Sequence, residues 1–441
     1  MTDLSPRRET PAWTRESAAG IARSEETVTP IIYPPTTETD PDYHVWDTWL
    51  LRNRDGSVAT PGGYRVIFCL SAPAHLLPGK RHDVATIRYF YSRDGETWHR
   101  GGVAIEPDEA HGSRQWAGSA LLDDDGTLYL YYTAAGFSAE DELTYTQRLA
   151  CGSGGHVETD GTADPESGEA LSLVGPWDHD ILLEPDGDRY ETEAQSRGMT
   201  YTFRDPWFFE DPVSGKTYLL FEANTPVPEG SDRCDGDSAQ QEFNGSVGIA
   251  ESPSGDPTDW QFRDPLVDAV GVNQELERPH FVVDDGTYYL FVSSHVHTFA
   301  PGLSGYDALY GFVADDLFGE YEPLNDSGLV LTTPQNAPFQ AYSWLVYPHR
   351  DELLVTSFVN YVEFDQPSLD DVALLPDSEQ LRRFGGTLAP TARLGYEGSE
   401  TWFRGVLGHG HLPVSGEELP PADFHDRHGH RDSADADSGE Y

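Results

Sequence analysis

The chain has 441 residues, of which 76 are acidic and 28 are Lys or Arg, for a formal net charge of −48. Nucleic-acid binding and basic membrane surfaces both need clustered Lys and Arg, so this balance excludes both classes of partner. No apolar run approaches the ~20 residues of a membrane-spanning helix, and we expect a neutral, cationic or small partner.

Acidic residues are spread along the whole chain, and Lys80 and Lys216 are the only lysines. In ordinary buffer, repulsion among these charges destabilises the compact state, whereas molar salt shortens the Debye length to ~3 Å and screens it. We therefore predict a halophile-type protein whose activity and folding rise with KCl or NaCl; an ordinary acidic protein is the alternative. Activity and circular dichroism across a salt series test this prediction, and full activity in salt-free buffer would contradict it.

The cysteines and the N-terminal residues give information on the cellular compartment of the protein. Cys69, Cys151 and Cys234 lack metal-ligand spacing and indicate no disulfide framework, although one pair stays open. Polar residues follow Arg7 and Arg8, where an export signal would have its apolar core. We expect no export signal and a cytoplasmic location by default, with unconventional secretion as the alternative.

In chain order, residues 1–30 are polar and aperiodic, which predicts an N-terminal arm. A recurring pattern fills residues 31–414, in which a turn signal precedes an aromatic or β-branched run. Such runs are typical of strands. The five runs recur about every 65 residues, with one longer gap, at 64–70, 128–133, 217–222, 287–293 and 353–359.

Repeats of this size and strand content predict an all-β, single-domain fold, a five-bladed β-propeller. A pair of β-sandwiches is the competing fold, but it does not naturally produce five copies. Residues 415–441 are rich in Asp, Glu, His, Gly and Pro and predict an acidic disordered tail. Its His425, His428 and His430 could bind a metal, but a solvated tail explains them better.

Three acidic residues lie in settings unlike a solvated surface. Asp47 stands in Val-Trp-Asp-Thr-Trp, Asp205 in Phe-Arg-Asp-Pro-Trp-Phe, and Glu277 in Glu-Leu-Glu-Arg-Pro-His-Phe. Desolvation among aromatic rings raises the pKa of a carboxylate unless a cation or hydrogen bond offsets it. Carboxylates in different environments can divide acid and base roles at a glycosidic bond, and Trp and Tyr offer flat faces to sugar rings.

These motifs, in this order, resemble the levansucrase and inulosucrase family, glycoside hydrolase family 68, over about residues 45–412. Gln-Trp-Ala-Gly-Ser at 115–119 and Phe-Glu-Ala-Asn-Thr at 221–225 also match. Arg-Asp-Pro occurs twice, at 204–206 and 263–265, and only the first copy has the aromatic run and fits the order. The resemblance implies a five-bladed propeller that acts on sucrose.

Position by position, the resemblance implies a role for each motif residue. Asp47 is the nucleophile, Asp205 the transition-state stabiliser and Glu277 the general acid/base. The resemblance also implies a substrate-binding set, which walls the sucrose site, holds sugar hydroxyls or orients the catalytic carboxylates: Trp46, Trp116, Arg204, Glu222, Glu275, His295 and Tyr342.

Two departures from the family pattern matter. Ala117 stands where many members have Ser, so a hydrogen bond near the nucleophile is expected to be missing. Gln274 replaces the Asp of calcium-binding members, so we predict no metal site, and the implied chemistry needs no cofactor.

The function that follows is a sucrose-dependent, levansucrase-like fructosyltransferase with hydrolysis as a side reaction, acting as a monomer on sucrose and fructan acceptors. Retention predicts an Asp47–Glu277 carboxyl separation of ~5–5.5 Å. An inulosucrase that forms β-2,1 linkages and a β-fructofuranosidase stay open as alternatives. A propeller lectin is the non-enzyme alternative, but a lectin needs no nucleophile and acid pair.

Overall fold

The computed structural model describes residues 8–414 and 417–419, and its strands form five four-stranded blades. The outer strand is split into two pieces in blades 2, 3 and 4, and the third strand is split in blade 5. Blades 1 and 2 contain β1 (Tyr43–Asn53), β2 (Arg65–Pro73), β3 (Thr86–Ser92) and β4 (His99–Val103), then β5 (Arg114–Leu122), β6 (Leu128–Ala135), β7 (Gln147–Thr159), β8 (Leu171–Val174) and β9 (Asp178–Leu183).

The other three blades follow along the chain without any exchange of strands in the described residues. Blade 3 contains β10 (Phe203–Glu210), β11 (Thr217–Asn224), β12 (Gly245–Glu251), β13 (Gln261–Phe262) and β14 (Val267–Asp268). Blade 4 contains β15 (Glu277–Asp284), β16 (Thr287–Ser294), β17 (Ala308–Ala314), β18 (Glu322–Pro323) and β19 (Leu329–Thr332). Blade 5 contains β20 (Ala341–His349), β21 (Glu352–Tyr361), β22 (Phe384–Leu388), β23 (Pro390–Glu397) and β24 (Glu400–His409).

The predicted all-β five-bladed propeller is confirmed. Within each blade all strand pairings are antiparallel, and the first strands of neighbouring blades contact one another around the centre. A short parallel pairing between β1 and β5 joins blades 1 and 2 into one sheet. The hairpin between β15 and β16 turns at Asp285 and Gly286, both at positive φ, which is the turn that Asp-Gly favours between twisted strands.

Each of the five predicted runs is the second strand of a blade, namely β2, β6, β11, β16 and β21. All eight residues of β11 and all ten of β21 are buried. These strands are covered on both faces by the neighbouring blades, so they need apolar residues at successive positions rather than at alternate ones. That demand explains why the repeat is visible in the sequence.

Helices are few and short in the described chain. The α-helices are α1 (Arg15–Ala18), α2 (Ser238–Gln241) and α3 (Asp377–Arg383), and the 3-10 helices are Pro61–Gly63, Pro78–Val84, Pro165–Ser167, Arg233–Gly236, Val296–Thr298 and Leu369–Leu374. None of the helices in residues 8–414 has the length and apolar character needed to cross a membrane. Cys69, Cys151 and Cys234 are all free thiols.

The N-terminal segment is held more firmly than an arm needs to be. Trp13 is 1% exposed and packs edge-on against Phe299 and Phe312. Its backbone N–H donates to the Asp268 carbonyl at 2.8 Å, and Thr29 donates to the Thr332 carbonyl at 2.9 Å. Residues 8–30 therefore lie along the edges of blades 3 and 4 instead of extending into solvent.

The C-terminal tail predicted for residues 415–441 falls mostly outside the described residues. Residues 417–419 are described, and Leu419 packs against the apolar cluster between blades 1 and 5. The carbonyl of Glu417 contacts His349 Nε2 at 3.2 Å. The histidines at 425, 428 and 430 lie outside the described residues.

Candidate active site

The first strand of every blade is interrupted at the same level. Strand pairing shifts register within 46–49, 116–118, 204–207, 277–280 and 342–345. In four blades the interruption holds a non-glycine residue at positive φ: Asp47 (45°), Asp205 (61°), Arg278 (52°) and Ser343 (59°). A β-bulge re-aims side chains, and strained residues of this kind cluster at functional sites. The bulges turn the side chains of several blades toward one point.

That point is a pocket of about 290 Å³ at one mouth of the central channel. Nine of the ten predicted site residues line it; Glu222 lies behind. The lining is rich in carboxylates, cations and aromatic rings: Trp46, Asp47, Leu70, Arg81, His82, Trp116, Ala117, Tyr145, Arg204, Asp205, Glu275, Glu277, Arg278, His295, His297, Tyr342, Ser343 and Phe358.

Asp47 lies on the pocket floor, where it is partly exposed. Burial raises the pKa of Asp47, whereas the charge of Arg278 and a hydrogen bond from the Ser343 hydroxyl lower it in part. The charge of Glu277 also raises this pKa, so the two carboxylates influence each other. Ser343, in blade 5, provides this carboxylate with a hydroxyl donor. Ala117, at the position where a Ser was expected to donate, has no hydroxyl.

Arg278 organises the floor, and the sequence analysis assigned it no role. Its guanidinium is buried and donates to the Ser343 hydroxyl at 2.7 Å and to the Thr48 carbonyl. Its backbone N–H donates to Asp205 Oδ2 at 3.1 Å. A single residue of blade 4 thereby ties together the bulges of blades 1, 3 and 5.

Asp205 faces Asp47 from blade 3 and is 7% exposed. Burial raises the pKa of Asp205 to about 7, against the opposing charge of Arg204 and with a further rise caused by Glu277. Its backbone N–H donates to Thr133 Oγ1 at 2.9 Å, which fixes the bulge against blade 2.

Glu277 is held by three side chains from three directions. Arg204 Nη2 donates to Glu277 Oε1 at 3.0 Å, and the Tyr342 hydroxyl donates to Oε2. His295 Nε2 lies 4.0 Å from the same Oε2. The carboxyl group is thus oriented toward the pocket with little rotational freedom, as a proton donor and acceptor must be.

Arg204 is surrounded by glutamates. Its Nε donates to Glu222 Oε2 at 2.7 Å, and its Nη2 donates to Glu275 Oε1 at 3.1 Å. Burial alone would lower the pKa of Arg204, but the charges of the three glutamates around it outweigh this effect and raise the pKa well above its usual value. Glu222 has no exposed surface and lies behind Arg204, so it orients the guanidinium rather than contacting a ligand.

Glu275 lines the pocket with one free acceptor. Its Oε2 is buried and has no hydrogen-bond partner, while Oε1 is used by Arg204. A buried oxygen without a donor calls for one, and a ligand hydroxyl in the pocket can provide it.

His295 forms a second polar pair at the pocket edge. Its Nδ1 lies 2.8 Å from Asp307 Oδ2, and its ring stacks on Tyr342 with 3.8 Å between centroids. Burial would lower the pKa of His295, but the charge and hydrogen bond of Asp307 raise it to about 9. The imidazole is therefore a cation near neutral pH, directly beside Glu277.

Aromatic rings form the opposite wall. Trp46 meets His82 edge-on at 5.5 Å, and Trp116 donates from Nε1 to the His82 carbonyl at 3.1 Å. Arg81 lies 5.6 Å from the Trp46 ring, and Tyr145 packs beside Trp116 at 6.3 Å. Flat rings next to charged groups suit a ligand with apolar faces and hydroxyl edges.

Gln274 is committed elsewhere and does not fit a calcium ligand. Its Nε2 donates to the Thr200 carbonyl at 2.8 Å, and its Oε1 accepts from the Met199 N–H at 3.1 Å. Both polar ends of the amide hold residues 199–200, so Gln274 takes no part in the chemistry of the pocket.

Several lining residues carried no usable sequence signal. Arg81 and His82 come from the 3-10 helix Pro78–Val84, and Ser343 comes from a bulge in blade 5. Asp307, which pairs with His295 but does not itself line the pocket, directly precedes β17 of blade 4. Each stands in an unremarkable local sequence, and only the packing of the blades brings it to the pocket. A basic Arg-His pair in so acidic a chain was the single available hint.

The chain is similar to proteins of known activity along almost its whole length. The family model described as Levansucrase/Invertase matches residues 3–413. The levansucrase LscA of Pseudomonas savastanoi pv. glycinea is 35% identical over 435 residues, which cover 91% of this chain and 96% of that protein.

Solved structures agree with the sequence comparison. An inulosucrase from Halalkalicoccus jeotgali bound to kestose is 64% identical, with a TM-score of 0.91 over 94% of this chain and 100% of that one. The β-fructofuranosidase catalytic domain from Microbacterium saccharophilum K-1 is 28% identical, with a TM-score of 0.77 over 93% of this chain and 95% of that one.

Proposed function

This chain belongs to the levansucrase/invertase family, and from that premise we propose that Asp47, Asp205 and Glu277 carry the fructosyl transfer. The protein is a sucrose-dependent fructosyltransferase, and hydrolysis of sucrose is its side reaction. The observation that carries the residue assignment is the convergence of the three carboxylates, from blades 1, 3 and 4, in one pocket walled by aromatic rings.

In the first half of the reaction, an Asp47 oxygen attacks the anomeric carbon of the fructosyl unit. Glu277 gives its proton to the glycosidic oxygen as the bond to glucose breaks, and glucose leaves. A covalent fructosyl ester of Asp47 results. Ser343 and Arg278 hold the attacking carboxylate in place, and Arg204 and Tyr342 hold the acid.

In the second half, Glu277 is a carboxylate and takes the proton of an acceptor hydroxyl. The acceptor oxygen bonds to the anomeric carbon, and Asp47 leaves as a free carboxylate. Asp205 accepts hydrogen bonds from fructosyl hydroxyls, and its negative charge stabilises the positive charge that develops on the ring in both transition states. The protonated His295 and the free Oε2 of Glu275 hold hydroxyls of the substrate.

The linkage of the product has two supported candidates. The curated levansucrases support a β-2,6 product, whereas the 64% identical structure is an inulosucrase bound to kestose. That higher identity specifically favours the β-2,1 alternative. Linkage analysis of the polymer or oligomers by NMR decides between them.

The product ratio from sucrose at molar salt tests the proposed function. We expect free glucose in clear excess over free fructose, because most fructosyl groups pass to sugar acceptors rather than to water. Separate enzymatic assays of the two sugars give the ratio. Equal amounts would make the protein a β-fructofuranosidase, and release of neither sugar by a folded protein would favour the lectin alternative and overturn the catalytic assignment.

We also propose that a single chain is the active unit and that it works in the cytoplasm without nucleic-acid or membrane partners. All the residues that line the pocket come from the blades of one chain. Sedimentation of the active enzyme and fractionation of its host cells test these two points.

A further inference from the structure

A second cluster of ligating side chains lies outside the pocket lining, where the segment after β24 meets a turn of blade 1. It comprises Glu96, in the turn between β3 and β4, His411, just after β24, and Glu417. His411 Nε2 lies 3.5 Å from Glu96 Oε1 and 3.4 Å from Glu417 Oε1. The three ligand atoms lie within 4.8 Å of one another.

The histidine itself points to a missing ligand. His411 is 9% exposed, and its Nε2 is fully buried without a hydrogen-bond partner, although it lies between the two carboxylates. Buried polar atoms in native proteins are almost always paired, so an unpaired imidazole nitrogen among acidic oxygens needs an explanation.

The distances around His411 supply an explanation for the unpaired nitrogen. Around tetrahedral zinc, nitrogen and oxygen ligands at ~2.0–2.2 Å from the ion lie ~3.4 Å from each other. Both distances from His411 Nε2 match that spacing. We propose that Glu96, His411 and Glu417 bind one zinc-like divalent cation, with water as a further ligand. The imidazole selects Zn²⁺ over Ca²⁺ and Mg²⁺, which prefer all-oxygen sites.

Other contacts fix the backbone next to the cluster without using the ligand atoms. The Leu412 N–H donates to the Gly95 carbonyl at 2.8 Å, and Trp98 Nε1 donates to the Gly410 carbonyl at 2.9 Å. Glu417 Oε2 accepts the Val414 N–H at 2.8 Å, which leaves Oε1 for the ion. The backbone on both sides of the cluster and the Glu417 side chain are therefore held before a cation arrives, which favours binding.

The charge balance also favours a cation. The pair Glu96 and Glu417 brings two negative charges to one imidazole, and the positive charge that acts on Glu417 from Arg65 offsets them only in part, since that guanidinium donates to the Pro413 carbonyl at 3.1 Å. A divalent ion neutralises both carboxylates.

The position suggests what the ion does. In the described chain, blade 5 is built only from C-terminal strands, so no exchanged strand fastens the last blade to the first. The cluster joins the segment after β24 to a turn of blade 1. Bound zinc therefore connects blade 5 to blade 1 and stabilises the fold, while the transfer reaction proceeds without the ion.

Zinc titration of the full-length chain tests the proposal. The measurement is made in molar KCl, because that salt screens diffuse binding of cations to the acidic surface. The parent carries His425→Gln, His428→Gln and His430→Gln, which removes the tail histidines as competing ligands. We expect one equivalent of Zn²⁺ by calorimetry, a rise in melting temperature, and the visible spectrum of tetrahedral cobalt when Co²⁺ replaces Zn²⁺.

The variants separate this site from unspecific binding. Adding His411→Gln should weaken Zn²⁺ binding more than about 100-fold, because even residues that merely support a ligand change affinity 10–100-fold. Glu96→Gln, in an exposed turn, provides the same test if the histidine variant fails to fold. Glu418→Gln, at the exposed neighbour of Glu417, is the matched control and should bind as the parent does.

Three results would overturn the proposal: no saturable binding by the folded parent, unchanged affinity in folded His411→Gln and Glu96→Gln, or an equal loss in Glu418→Gln. Circular dichroism and sucrose turnover show which variants are folded.

Discussion

Replacement of Asp47 by Asn is expected to lower kcat for sucrose by at least about 10⁴-fold, because an amide cannot form the covalent fructosyl intermediate. Asn has nearly the same shape, and its side-chain oxygen still accepts the Ser343 hydroxyl, so sucrose should bind as before. Steady-state glucose release measures the loss in kcat, and calorimetry with sucrose measures the binding that remains.

Stability provides the control for Asp47→Asn. Because burial raises the pKa of Asp47, the charged carboxylate is less favourable in the fold than in water. A neutral residue removes that cost, so the melting temperature should stay the same or rise. A variant that lost both activity and stability would show a structural role for Asp47, and a variant with near-normal kcat would remove it as nucleophile.

Replacement of Asp205 by Asn is expected to lower kcat/KM by about 10²–10³-fold, since it removes negative charge that stabilises the developing positive charge of the transition state. The chain contains its own control, because Asp264 occupies the same Arg-Asp-Pro sequence. There the carboxylate accepts the Arg8 N–H at 2.9 Å and pairs with Arg189, outside the pocket. Asp264→Asn should leave kcat/KM within about twofold of the wild type, as substitutions at a distance usually do.

The pH profile separates the charge of Asp205 from its shape. Transition-state stabilisation needs the ionised form, and burial raises the pKa of Asp205 to about 7. The acid limb of kcat/KM should therefore lie at higher pH than for an ordinary aspartate, and activity should fall as pH drops through that limb. In Asp205→Asn this contribution should vanish. An unchanged acid limb, or equal losses in the two Arg-Asp-Pro variants, would refute the assigned role.

The sequence singled out the three carboxylates that line the pocket because their motifs are local. Asp47, Asp205 and Glu277 each stand within a few residues of aromatic and basic neighbours that are unusual for a solvated surface. Their order along the chain carried the family resemblance, which the family model and the relatives confirm. The predicted substrate-binding set contains one residue that does not line the pocket, because Glu222 lies behind Arg204 and supports it.

Bulges and long-range partners were beyond the reach of sequence reasoning. A bulge depends on how two strands pair, and nothing within Val-Trp-Asp-Thr-Trp states that Asp47 adopts positive φ. The partners of Asp47 come from residues 278 and 343, more than half the chain away. The firm packing of residues 8–30 and the cluster of Glu96, His411 and Glu417 likewise join segments that are distant in sequence.

The sequence by itself determined the architecture, because the buried second strands of a propeller need unbroken apolar runs, and five such runs recur. It also pointed to the three carboxylates that meet in the pocket, because each is embedded in a local motif. Only the tertiary structure decided how those carboxylates are held, charged and oriented, since hydrogen bonds and desolvation depend on which side chains meet in space. The blades converge at one channel mouth, where residues of all five blades line the pocket, so no single stretch of sequence contains it.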